Sequence, residues 1–145
     1  MRIAIKFDDH TILRYHNQKS PIFFDIHMEK DGVAYPSDDW TDFGVVIVGW
    51  WFVQARRLLK GAITADFSFM DGPYSLDAKK HDDLLTLTST DGKIIWELTL
   101  KDFCTSLSEA IKAIALQLLR LQIADYDLSV LLQSSDELKK LIEEL

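Results

Sequence analysis

Apolar and polar positions along the chain follow two periods, and each predicts its own kind of element. A period of two runs through Ile3, Ile5 and Phe7, through Ile22, Phe24, Ile26 and Met28, and through Ile63, Ala65, Phe67 and Phe69. Alternation of this kind predicts strands with one buried face. It returns on both sides of Asp91-Gly92: Leu85 and Leu87 alternate with Thr86 and Thr88, then Ile94, Trp96, Leu98 and Leu100 alternate with Ile95, Glu97, Thr99 and Lys101. This is the clearest hairpin. Asp31-Gly32 and Asp71-Gly72 mark further turns after strand-like segments, and Thr11 to Tyr15 and Tyr74 to Leu76 read as additional strands. Turns rather than long crossovers join most neighbours, which predicts a mainly antiparallel sheet of about five or six strands.

The uncharged run from Phe43 to Ala55 is well short of the roughly 20 residues that a membrane-spanning helix needs, so it predicts a core element. Val45, Val46, Ile47 and Val48 favour a strand, but the ends favour a helix. Thr41 is a good N-cap, Asp42 puts negative charge in a first turn, Arg56, Arg57 and Lys60 put positive charge in a last one, and Gly61 stands where a left-handed C-cap falls. A helix over about 42–60 is predicted, buried over most of its surface, with Trp50 and Trp51 as its main packing weight. A second long helix starts at Ser106, whose spacing to Glu109 is that of a capping box, and runs to about Ala124. Leu107, Ile111, Ile114, Leu118 and Leu121 form its stripe, and Ala110, Ala113 and Ala115 permit close approach. Ser134 and Glu137 repeat the capping spacing before Leu138, Leu141, Ile142 and Leu145. They predict a short C-terminal amphipathic helix that packs on the body or, alternatively, pairs through 134–145 with a second subunit or a partner. The fold class is α+β, in one domain over 1–145.

Composition narrows the function. At 48% hydrophobic residues with only three prolines among 145 residues, the chain is far from disordered composition and has a core to build. A net charge of −7 argues against a nucleic-acid binder, which needs a basic surface. It serves solubility, or steers a basic protein partner. The single Cys104 makes no internal disulfide, and the N-terminal segment lacks the apolar core of a secretory signal, which points to the cytoplasm and away from membranes.

Catalytic chemistry finds little support. The six glycines form no phosphate-binding loop, no nucleophile elbow is present, and no cofactor motif is visible. The four histidines lack zinc-site spacing. Asp25, His27 and Glu29 project from one strand face and are the best residual case for an ion or a shared proton, against a solvated polar face. Cys104, just ahead of the expected helix, would have its thiol pKa lowered by the helix dipole, yet Phe103 and Leu107 favour an inert buried thiol. A competing reading is an enzyme or small-molecule binder with a pocket between sheet and helices, lined by Trp50, Trp51 and Trp96, with His27 or Cys104 as the reactive group. A third is a structural homodimer.

The preferred surface is the segment from Tyr35 to Asp42. There Asp38, Asp39 and Asp42 stand with Tyr35 and Trp40 at the mouth of the first long helix. Its plainer explanation is a capping loop in which Trp40 folds back as a staple; the functional one is an acidic, aromatic patch that grips a basic partner. A second patch, around Phe69 to Tyr74, adds Asp71 and Tyr74.

The segments Trp40-Thr41-Asp42-Phe43, Trp50-Trp51 and Phe69-Met70-Asp71-Gly72-Pro73-Tyr74 resemble a pattern found in small uncharacterised bacterial proteins, some of them similar to immunity proteins of polymorphic toxin systems. The resemblance covers about residues 35–76 and holds no catalytic motif. It implies a fold relation. The negative charge, the absence of catalytic signatures and the acidic, aromatic patch lead to a cytoplasmic, non-catalytic binding protein, with an immunity protein that occludes a basic toxin through this acidic face as its sharpest form.

Overall fold

Twelve elements follow one another in the computed structural model, which describes residues 1–124 and 126–145. In chain order they are β1 (Arg2–Lys6), α1 (Asp9–Asn17), β2 (Phe24–Lys30), β3 (Val33–Tyr35), β4 (Thr41–Asp42), α2 (Gly44–Leu59), β5 (Thr64–Ser68), β6 (Ser75–His81), β7 (Leu84–Ser89), β8 (Ile95–Thr99), α3 (Leu100–Arg120) and α4 (Tyr126–Glu143). The class is α+β and the pairing is antiparallel, as expected. The strands, however, form two four-stranded sheets rather than one.

In the first sheet, β2 is central. β1 pairs along its whole length, from Arg2 opposite Glu29 to Lys6 opposite Asp25. Its other edge is shared: β3 takes Met28 to Lys30 and β4 takes Phe24 and Asp25. The residues between β3 and β4 loop outward, and the loop closes where the Ile26 N–H donates to the Trp40 carbonyl at 2.9 Å. The second sheet is the meander β5-β6-β7-β8. Its inner face carries Ala65, Phe67, Leu76, Ala78, Leu85, Leu87, Trp96 and Leu98, all buried, so the period-two reading holds from Ala65 onward, whereas Ile63 precedes β5 and is exposed.

The helices join the sheets. α2 contacts β2 and β5, α3 contacts β1 and β8, and α4 packs on both α2 and α3. One buried cluster runs from Ile3 and Ile26 through Ile47, Trp51 and Leu58 to Phe67, Leu87, Phe103 and Ile111. Gly44 begins α2 because the ring of Phe24 lies only 2.0 Å from where a Cβ would be. Gly61, at φ 111°, ends the helix as its position predicts, with the Ala62 N–H bonded back to Arg57.

Four expectations about element ends are corrected. Thr11 to Tyr15 is helical, because the Asp8 carboxylate accepts from the Thr11 N–H at 3.2 Å and caps α1, turning Ile12 into the core. That bond also holds the Asp8 carboxyl below its ordinary range. Thr41 is not a cap of α2; it pairs with Asp25 in β4, and Phe43 takes the cap position without a side-chain bond. α3 starts at Leu100, capped by the Thr99 hydroxyl accepting from the Asp102 N–H at 3.0 Å. Ser106 therefore lies within the helix, where its hydroxyl donates to the Met1 carbonyl at 2.9 Å. α4 is long and starts at Tyr126: Ser134 donates back to the Val130 carbonyl at 2.8 Å, and Ser135 meets Ser108 of α3 in a buried contact. Leu128, Leu131 and Leu138 are buried, so much of the apolar stripe of α4 is taken up inside the chain.

Candidate functional site

The two sheets meet through residues of the preferred surface, Tyr35 to Asp42, and of the second patch, Phe69 to Tyr74. Asp42, at the end of β4, is fully buried, and every bond it accepts comes from an N–H group. One carboxylate oxygen accepts from the Trp40 indole N–H at 2.9 Å and from the backbone N–H groups of Met70 and Asp71 at 3.1 and 3.2 Å. The other accepts from the Phe43 N–H at 2.7 Å. A buried charge needs this many donors to offset its lost hydration. The start of α2 adds the positive end of its dipole.

Aromatic edges close the same junction. Trp40 stands edge-on to Phe69 and Tyr74, with ring centroids 6.3 and 5.1 Å away, and Tyr35 does the same at 6.0 and 5.9 Å. The Tyr35 hydroxyl accepts from the Ser75 N–H at 3.2 Å, tying β3 to β6. Gly72 adopts φ +129°, and a Cβ there would come within 3.1 Å of the Trp40 ring, so this turn needs glycine on both counts. Trp51 reaches the junction from α2, donating to the Ser68 carbonyl at 2.8 Å and standing edge-on to Phe69 at 5.2 Å.

The seven candidate residues of the two patches thus fall into layers. Tyr35 and Asp42 are buried and hold the junction from beneath, Trp40 and Tyr74 are half-buried, and Asp38, Asp39 and Asp71 are exposed. Among the described residues none of these three exposed carboxylates is in an ion pair; Asp39 accepts a bond from the Ser37 hydroxyl at 2.9 Å. The capping explanation for Asp42 is replaced by a long-range one. The sequence signal was a lone carboxylate at the border of an otherwise uncharged run.

The other candidates are placed as follows. Asp25 accepts from the Thr41 hydroxyl at 2.7 Å, and Glu29 pairs with Arg2 at 3.1 Å. His27 is buried rather than solvated: its Nε2–H donates to Glu29 at 3.4 Å, and its Nδ1 has no hydrogen-bond partner. The bond from His27 is the largest influence holding Glu29 below the usual carboxylate range, and Arg2 adds to it. No group of three possible metal ligands gathers among the described residues. Trp51 and Trp96 are buried while Trp50 is 43% exposed, and five grooves among the described residues are lined by other side chains. The expected shared packing role of Trp50 and Trp51 therefore belongs to Trp51 alone.

Cys104 lies inside α3, fully buried, and burial pushes its thiol from 9.0 up to about 12. This is the opposite of nucleophile activation. The protonated thiol favours the folded state, so its contribution is intact below pH 9.0 and is lost as pH rises toward about 12. Cys104 is expected to ignore a disulfide reagent in the native protein at neutral pH and to react fully once the chain is denatured. Rapid native labelling would refute the buried thiol.

No helix among the described residues is long and apolar enough to cross a membrane. Comparison with family models, with curated proteins and with solved structures finds no match to the chain.

Proposed function

We propose that the chain is a non-catalytic, cytoplasmic protein-binding domain whose acidic face, Asp38, Asp39 and Asp71 around the edges of Trp40 and Tyr74, captures a basic protein partner. The observation that carries this reading is the buried Asp42. It fixes the two loops bearing the exposed carboxylates to each other, so the face is organised before any partner arrives and loses little freedom on binding. Half-exposed Trp and Tyr edges amid unpaired carboxylates suit a basic surface, with the aromatics supplying contact area and the charges setting approach and orientation. An immunity protein is one form this role takes, since occluding a toxin requires a firm complementary face and no reaction.

The test begins with affinity capture from native lysate at low and moderate salt, followed by association kinetics with the retained basic protein. Asp38→Lys with Asp39→Lys is expected to slow association by about tenfold or more, through lost electrostatic steering, while leaving the unfolding midpoint unchanged. Equal capture by wild type and variant would remove the face from the reading.

A further inference from the structure

A helix that is apolar on every side is ordinarily enclosed on every side. The middle of α2, Val45-Val46-Ile47-Val48-Gly49-Trp50-Trp51-Phe52-Val53, is such a helix, yet it is enclosed on one side only. Ile47, Val48, Trp51, Ala55 and Leu58 are fully buried, whereas Trp50 is 43% and Val53 51% exposed. The outward positions Val46, Trp50, Val53, Arg57 and Lys60 recur at the spacing of a helix-packing seam, about 21 Å long at 1.5 Å per residue.

Two grooves continue this seam. Toward the N-terminal end, one of about 580 Å³ runs between Pro21 and Ile22 on one wall and Val45, Val46 and Gly49 on the other, with His16, Lys19, Ser20 and Asp127 at its rim. Gly49 has no heavy atom within 4 Å of a would-be Cβ, which leaves a notch beside Trp50. Toward the C-terminal end, a groove of about 320 Å³ is lined by Val53, Arg56, Arg57 and Lys60. Arg56 bridges to Glu137 at 2.8 Å, Arg57 donates to the neutral Gln54 at 2.8 Å, and Lys60 is in no ion pair among the described residues. Along α2 itself the seam is apolar from Val46 to Val53 and basic at Arg57 and Lys60, on a chain of net charge −7.

We infer that this seam docks an amphipathic helix of a partner protein, with apolar residues over Val46, Gly49, Trp50 and Val53 and an acidic first turn against Arg57 and Lys60. Acidic groups sit well in the first turn of a helix, so this occupant runs antiparallel to α2 and its dipole opposes that of α2. A second copy of α2 fits poorly. Antiparallel self-pairing sets the basic turn against a helix N-terminus that has no acidic residue in its first turn, and parallel self-pairing sets cations against cations. The surface is formed by residues outside the acidic junction, so it adds a second binding face of opposite charge.

The probe is a synthetic amphipathic peptide of about 20 residues, enough to span the seam, with aspartates in its first turn and leucines at heptad spacing. A matched peptide carries lysines in that turn. The aspartate peptide is expected to bind the intact protein saturably at one site, and Trp50→Ala to weaken it by about tenfold or more. Arg57→Glu with Lys60→Glu should reverse the preference toward the lysine peptide. Val53→Asp, at an exposed position, serves as a second apolar-half variant should Trp50→Ala perturb folding. Failure of the wild type to bind, equal binding of the two peptides, or unchanged affinity in both apolar-half variants would overturn the inference. So would a concentration-dependent dimer in sedimentation that Trp50→Ala abolishes, because a second copy would then own the seam.

Discussion

Asp42→Ala is expected to lower the unfolding free energy by about 3 kcal/mol or more, because it removes a fully buried carboxylate and with it the acceptor of part-buried N–H donors in two segments of chain at once. The Trp40 indole and the amides of Phe43, Met70 and Asp71 all lose their acceptor, and water can replace only part of it. Asp42→Asn is the sharper variant. Its amide nitrogen keeps the size but turns a donor toward donors, so it is expected to recover only a minority of the loss. Denaturant titration with unchanged slope reads both effects. A change below about 0.5 kcal/mol for Asp42→Ala, the range of ordinary surface substitutions, would show that the junction does not depend on this carboxylate.

The neighbouring tryptophans of α2 are expected to behave as opposites. Trp51→Ala removes a fully buried indole together with its bond to Ser68 and its edge contact with Phe69, a loss of about 3–5 kcal/mol. Trp50→Ala, on the solvent side, should shift stability by less than about 1 kcal/mol. Equal penalties would mean that α2 is rotated about its axis relative to this structure, and would remove the exposed seam with it. Tryptophan fluorescence distinguishes the same two cases, since Trp50 should be open to a soluble quencher and Trp51 closed to it.

The faces of the strands were legible in the sequence, and their ends and neighbours less so. Alternation reports that one side of a strand is buried, and Ile26, Met28, Phe67, Leu85, Leu87 and Leu98 point inward accordingly. β6 left little trace, because Leu76 and Ala78 alone mark its inner side amid Asp77, Lys79, Lys80 and His81. The capping spacings at Ser106 and Ser134 misled, since a serine with a glutamate three residues on also occurs inside a helix when the hydroxyl finds another acceptor. In both cases it does.

The same logic divides the candidate site. Asp38, Asp39 and Asp71 lie exposed, as turn-rich polar sequence implies, and Trp40 and Tyr74 flank them half-buried. The burial of Tyr35 and Asp42 was not legible, because their partners are backbone groups as far as 40 and 29 residues away along the chain, and amide groups carry no sequence signal. Period also hid the exposure of Trp50: the middle of α2, from Val45 to Val53, has no charged side chain to show which side faces out.

The divided edge of β2 bears on how such a protein can diversify. β3 and β4 each hold a fixed part of that strand, so the ends of the intervening loop are pinned by ladder bonds that do not depend on what lies between them. Added residues around Asp38 and Asp39 would cost only the slow, logarithmic price of a longer loop, while Trp40 and Asp42 keep the exit point in place. The fold therefore separates an insertion-tolerant tip from a pinned clamp, an arrangement in which recognition can be rewritten by insertion without renegotiating the core.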